Sequence, residues 1–171
     1  MQTTRPPATF QFNSPPHIMV VQSCFYEEIA ALQLKGVLGV LERVQATHEL
    51  LIVPGALEIA PTISFAMKAM DFDPLRRRCE GYIALGCVLK GDTMHDEIVG
   101  YESARALQDL AITRALAIGN GILTCQTVGQ ALERANPAGS NRGAEAAEAC
   151  LRMVEIKQYF RLSPKRRWVA K

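Results

Sequence analysis

The sequence predicts an α/β fold, three layers deep, in which a four-stranded parallel sheet is covered by helices on both faces. Three observations carry this. Short apolar runs alternate with longer stretches of helical period, in the order β-α-β-α-β-α-β-α-α. The first and third runs are almost continuously apolar, as strands buried on both faces are. Helices between successive strands require right-handed crossovers, which generate a single parallel sheet.

Residues 1–16, rich in Thr, Pro and Gln without an apolar period, read as a flexible arm. Residues 17–22 form the first strand. Residues 27–43 follow a helical period through Ala30, Leu34, Val37 and Leu41, with an acidic first turn and Arg43 in the last, as the helix dipole favours. The run His-Glu-Leu-Leu-Ile-Val at 48–53 is a second strand stopped by Pro54-Gly55. Residues 59–70 make the second helix, with Pro61 in its first turn, where a missing N–H does no harm. The polar stretch 71–80 is a loop. Residues 81–89 are a third buried strand, and a long helix follows His95 through Ala106, Leu110 and Ala117. Gly119-Asn120-Gly121 is expected to end that helix in left-handed conformations. A short fourth strand occupies 122–125. Two helices, 128–135 and 144–160, flank the turn Asn136-Pro137-Ala138-Gly139-Ser140. The strand order is flavodoxin-like, with one folded domain over 17–160 and a basic tail over 161–171.

Composition narrows the function. The 171 residues are 49% hydrophobic and 21% charged, near the globular average, and suit one domain burying roughly 68–70% of its unfolded surface. The apolar runs are too short to span a bilayer, and the N-terminus lacks the pattern of a secretory signal. Five scattered cysteines without a CxxC pair argue against a disulfide framework or a thiolate zinc site and for a reducing, cytoplasmic compartment. Three histidines are too few for a His-rich metal cluster. The net charge of +2 hides a tail with Arg161, Lys165, Arg166, Arg167 and Lys171 and no acid. The remaining 160 residues hold 14 basic against 17 acidic groups, which argues against nucleic acid as the main partner.

In open α/β sheets ligands bind beyond the carboxyl ends of the strands. Those ends carry Ser23-Cys24-Phe25-Tyr26, Pro54-Gly55-Ala56-Leu57-Glu58, Lys90-Gly91-Asp92-Thr93-Met94-His95 and the residues 124–127. Lys90 to Thr93 suits either an anion cradled by backbone N–H groups or an ordinary helix cap on Asp92 or Thr93. It lacks Walker A spacing, and no GxGxxG follows a strand. Histidine as a residue type suits proton shuttling, which makes His95 a candidate, although a lone histidine is more often structural. Phe25 is either core or a stacking platform. Arg134 and Arg142 are solvated charges or a phosphate clamp. Cys24 and Cys87 suit packing better than nucleophilic attack.

Taken in order, Pro54-Gly55-Ala56-Leu57-Glu58-Ile59, the segment Ala84-Leu85-Gly86-Cys87-Val88-Leu89-Lys90-Gly91-Asp92-Thr93 with His95, Gly121-Ile122-Leu123-Thr124, and Gln130-Ala131-Leu132-Glu133-Arg134-Ala135 with Asn141-Arg142-Gly143 carry a resemblance. The chain resembles the lumazine synthases of riboflavin biosynthesis over residues 17–160. The resemblance implies a transferase that condenses 5-amino-6-(D-ribitylamino)uracil with 3,4-dihydroxy-2-butanone 4-phosphate to 6,7-dimethyl-8-ribityllumazine, phosphate and water, without cofactor or metal. It implies Phe25, Ala56, Leu57, Glu58, Cys87, Val88, Leu89 and Asn120 as the pyrimidine and ribityl site. Asp92, Thr93, Arg134 and Arg142 would hold the phosphate, and His95, supported by Glu145, would transfer protons. It implies a homopentamer or a multiple of one, with Asn120, Arg134, Arg142 and Glu145 reaching the site from the adjacent subunit. Two small molecules, and neither nucleic acid nor membrane, are then the partners. The alternative is a non-catalytic flavin- or lumazine-binding or storage paralogue of the same fold, motivated by Tyr26, Asp96 and Asn120, where family members usually differ. A flavodoxin-like signalling or electron-transfer domain would need a phosphate loop after the first strand, which Ser23-Cys24-Phe25-Tyr26 does not supply.

Overall fold

A computed structural model describes residues 8–73 and 75–162. The elements run β1 (His17–Ser23), α1 (Glu27–Arg43), β2 (Thr47–Val53), a 3-10 turn (Ala56–Glu58), α2 (Ile59–Phe72), β3 (Gly81–Leu89), α3 (His95–Thr113), β4 (Ile118–Cys125), α4 (Val128–Ala135) and α5 (Arg142–Tyr159). All strand pairings are parallel, in the order β2-β1-β3-β4. The three-layer α/β/α architecture predicted from the order of apolar runs is the one observed.

The period-2 alternation of side chains divides the core between the sheet's two faces. Ile18 and Val20 of β1 and Ile83 and Leu85 of β3 pack against Val37, Val40 and Leu41 of α1 and Ala147, Leu151 and Val154 of α5. Met19, Val21, Tyr82 and Ala84 point the other way, against Ile59, Ala60 and Ile63 of α2 and Leu107 of α3. Strands β1 and β3 are therefore buried on both faces, and their sequences contain no alternating polar set. Edge strand β2 is mostly open, with Leu50 and Ile52 exposed.

One segment departs from expectation. Helix α3 ends at Thr113, and the turn is made by Ala115 at φ 50°, not by Gly119-Asn120-Gly121. Ala117 is buried beside the sheet, and Gly119, Asn120 and Gly121 lie within β4, which starts at Ile118 instead of 122. No described glycine has positive φ. The two glycines are there for clearance. A Cβ on Gly119 would sit 2.0 Å from the Ala146 carbonyl oxygen, and one on Gly121 would sit 2.8 Å from Leu85 Cδ2 and 3.0 Å from Ala146 Cβ. Helix α5 packs that tightly against the sheet only because both side chains are absent.

Residues 8–16 form no helix or strand, yet they lie against the α1/α5 layer. Phe10 and Phe12 stack at 5.7 Å and pack on that core, with the Arg152 guanidinium 5.0 Å from the Phe10 ring. Arg152 donates to the Thr9 carbonyl at 3.0 Å, and Glu155 accepts from the Gln11 N–H at 2.8 Å. Of the basic tail, Arg161 is described, whereas Lys165, Arg166, Arg167 and Lys171 lie outside the described residues, as do positions 1–7. Among the described residues no helix is long and apolar enough to cross a membrane.

Candidate active site

Three of the four connections that leave the carboxyl edge of the sheet, those after β1, β2 and β3, carry candidate side chains. Strand β1 runs out at Ser23, and Phe25 follows with 72% of its surface exposed. Tyr26 meets its ring edge-on at 5.0 Å. Tyr26 packs against the small cluster formed by Ile29, Leu123, Cys125, Ala131 and Ala135, so it anchors the turn and leaves the Phe25 ring facing solvent. Phe25 is therefore not a core side chain.

After β2, Pro54-Gly55 turns the chain into the 3-10 turn. Ala56 is buried against the α2 side of the core, which pins the segment, while Leu57 and Glu58 stand exposed. Thr62 Oγ1 donates to the Glu58 carbonyl at 2.8 Å and locks this turn onto α2.

The end of β3 splits between the faces. Cys87 and Leu89 pack toward α4, whereas Val88 packs toward α3. Burial pushes the Cys87 thiol up to about 12, which removes it as a nucleophile at neutral pH and agrees with a packing role. The Lys90 N–H donates to the Cys125 carbonyl at 2.9 Å and ties the start of the next loop to the end of β4. Residues 90–95 are all exposed. Neither Asp92 nor Thr93 is the N-cap of α3. Met94 occupies that position without a side-chain bond, and Thr93 Oγ1 only accepts a long 3.4 Å bond from the His95 N–H. Both side chains and the His95 imidazole, on the first residue of α3, are thus left for other partners.

A cleft of about 580 Å³ opens between α3 and the β3–β4 edge, lined by Val88, Lys90, Asp96, Tyr101, Asn120 and Gln126 among others. It gathers two of the expected residues, Val88 and Asn120. Asn120 is also held, since its Oδ1 accepts from the Ile122 N–H at 2.9 Å. The helical face Asp96, Gly100, Tyr101 and Ala104 lines the same cleft and was not anticipated. Its signal was available as small and polar residues spaced three to four apart at the start of α3. Gln33 was also missed. This buried side chain of α1 donates to the Gly86 carbonyl at 3.2 Å and the Gly121 carbonyl at 2.7 Å, bracing β3 and β4 just below the candidate residues.

The remaining candidates lie across the sheet. Arg134 is exposed in the last turn of α4, whose first turn is capped by Thr127 accepting from the Gln130 N–H. Arg142 and Glu145 open α5 and form an ion pair with each other. Asn141 at φ 50° caps that helix by accepting from the Ala144 N–H at 3.3 Å. Helices α5 and α3 pack on opposite faces of the sheet, so one chain separates Glu145 from His95. A single chain therefore brings together Val88 and Asn120, aligns Phe25, Ala56 to Glu58 and Asp92 to His95 along one edge, and leaves Arg134, Arg142 and Glu145 on the far side.

A family model described as 6,7-dimethyl-8-ribityllumazine synthase matches residues 15–158. A protein of Bartonella tribocorum with that name is 44% identical over 151 residues, covering 88% of this chain and 95% of its own length. One of Agrobacterium fabrum, named likewise, is 42% identical over 145 residues, covering 85% and 97%. A protein of Rhizobium meliloti named 6,7-dimethyl-8-ribityllumazine synthase 1 is 43% identical over 144 residues, covering 84% and 93%. With the match running from the residues before β1 to the last turn of α5, the chain belongs to the 6,7-dimethyl-8-ribityllumazine synthase family.

Proposed function

We propose that the chain catalyses the condensation of 5-amino-6-(D-ribitylamino)uracil with 3,4-dihydroxy-2-butanone 4-phosphate to 6,7-dimethyl-8-ribityllumazine, as a transferase of riboflavin biosynthesis. The observation that carries the reading is the family match across the whole sheet and its helices. The geometry supports it, because Phe25, Leu57, Glu58, Asp92, Thr93 and His95 all stand exposed along the carboxyl edge.

The 5-amino group attacks the ketone, and the imine forms with loss of water. Phosphate is then eliminated, and the ribitylamino nitrogen closes the second ring with loss of another water. Each step moves a proton, so a positioned side chain that can both donate and accept one is useful. His95, exposed at the head of α3, takes that role. Phe25 stacks on the pyrimidine, Ala56 to Glu58 hold the ribityl chain, and the backbone of Cys87 to Leu89 lines the ring with Asn120. Asp92, Thr93, Arg134 and Arg142 fix the phosphate, the arginines through charge-assisted bonds. Holding two reactants in register can supply roughly 7–11 kcal/mol of the barrier, so positioning carries most of the rate and no cofactor is needed.

The same reading makes the active form a homopentamer or a multiple of one. Arg134, Arg142, Asn120 and Glu145 then serve the site of the neighbouring subunit, where Glu145 supports His95. The separation of Glu145 from His95 by the sheet supports it. The reading places the enzyme in the cytoplasm, and the five free thiols suit a reducing compartment. The test is to mix the purified protein with both substrates and follow lumazine fluorescence. Multiple turnovers per chain are expected. Stoichiometric binding of the pyrimidine or of lumazine without turnover would overturn the reading in favour of a storage protein.

A further inference from the structure

At the opposite end of the sheet from these loops, three chain segments converge. His17 opens β1, Glu49 is the third residue of β2, and Cys79 lies two residues before β3. Register puts His17 beside Thr47 and Met19 beside Glu49, so His17, Thr47 and Glu49 share the face that α2 covers. The imidazole, carboxylate and thiol donor atoms all lie within 4.8 Å of one another. The Cys79 thiol donates to Glu49 Oε1 at 3.1 Å, and His17 Nδ1 shares a hydrogen bond with Thr47 Oγ1 at 2.9 Å. His17 is buried, and Glu49 and Cys79 are half-buried.

We propose that His17, Glu49 and Cys79 form a binding site for a divalent transition metal, Zn2+ being the best match, that fastens the starts of the three strands together. The donor set decides the class of metal. A thiolate with an imidazole and one carboxylate suits a borderline-soft ion, and it disfavours Mg2+ and Ca2+, which take oxygen ligands. Zinc bonds of about 2.0–2.3 Å place neighbouring ligand atoms ~3.3–3.8 Å apart, so the cluster needs a contraction of only about 1 Å. The Thr47 hydroxyl engages one imidazole nitrogen and leaves the other for the metal, the usual outer-sphere arrangement of a histidine ligand. On binding, the thiol proton now shared with Glu49 leaves to solvent and the sulfur lone pair goes to the metal. Three protein ligands leave the fourth position of a tetrahedral site to water. Two cations oppose the metal. Arg76 Nη2 lies 3.7 Å from Glu49 Oε2, and Arg77 acts electrostatically on His17. Arg76 must release Glu49 as the metal enters. No local motif betrays the site, because its ligands are about thirty residues apart, the length of one strand–helix unit.

The full-length protein, stripped with chelator, is titrated with Co2+. One ion per chain with a thiolate-to-cobalt charge-transfer band is expected, displaced by Zn2+, together with a Zn2+-dependent rise in Tm. Cys79→Ala should abolish the band, whereas Cys24→Ala should keep it. Thr47→Val, which leaves all three ligands in place, should weaken binding about 10–100-fold. Arg76→Ala, which removes the competing cation from an exposed position, should tighten it. Absence of the band in the unmodified chain, or its persistence in Cys79→Ala, overturns the proposal. So does unchanged affinity in both Thr47→Val and Arg76→Ala, two variants that do not disturb the core.

Discussion

Three exposed side chains, Phe25, His95 and Arg134, are asked to do different things, and each should fail in its own way. Phe25 offers a bare ring, so Phe25→Ala should raise the pyrimidine KM more than it lowers kcat, with a loss of about 1–2 kcal/mol, the size of base–aromatic stacking. An unchanged KM would assign the ring to another residue. Arg134→Ala should raise the KM for the butanone phosphate steeply while the pyrimidine still binds. His95→Ala leaves both binding surfaces intact, so the loss should fall on kcat. It should be ~10–100-fold, below the upper range of general acid–base catalysis, because water can relay protons in an open site. The pH–rate profile should also lose an inflection that the unmodified protein shows. If the inflection survives, the proton carrier is one of the carboxylates Glu58, Glu97 or Glu145.

Helices and strands were legible in this sequence wherever burial is two-sided or the apolar stripe is long. Strands β1 and β3 and helices α1 and α4 begin where their residue patterns say, because burial leaves those patterns no alternative. Gly119-Asn120-Gly121 was misread for a physical reason. Glycine means either a positive φ or a close approach, and only the tertiary partner distinguishes them. Here the partner is α5, and the turn itself fell to Ala115, which carries no sequence signal. The site divides similarly. Loop residues at strand ends could be located from order alone, whereas the α3 wall of the cleft and the Gln33 brace depend on packing across elements. The clearance argument is testable. Gly119→Ala should destabilise by about 1–3 kcal/mol or more, because the clash is with the Ala146 backbone and cannot relax by a rotamer change. Gly39→Ala, exposed on α1 with nothing within 4 Å of the added Cβ, should stabilise by about 0.5–1 kcal/mol. Urea midpoints of the two variants should move in opposite directions.

For the molecule as a whole, the decisive quantity is how many chains make one site. With Glu145 and Arg142 on one face of the sheet and His95 on the other, a chain acting alone lacks part of the machinery assigned to it. The pentamer proposed from the family resemblance would give, in light scattering, five times the 18.8 kDa chain mass, or a multiple of that. Assemblies refolded from a mixture of His95→Ala and Arg134→Ala chains should be more active than either parent alone, since some interfaces then pair two intact halves. A monomer that stays active at high dilution would sink the shared site.

The docked segment before β1 bears on how the protein can be handled. Phe10, Phe12 and the Arg152 guanidinium cover apolar surface on the α1/α5 layer, with Val44 among the side chains beneath. The family match begins at residue 15, so a chain trimmed to that boundary would look complete by similarity while stripping two aromatic rings from their seat. What remained would be a greasy, newly wetted scar beside Arg43 and Val44, prone to self-association. An expression boundary set upstream of Thr9 keeps the cover in place, and a protease nick between Phe12 and Pro15 would be a first step toward precipitation.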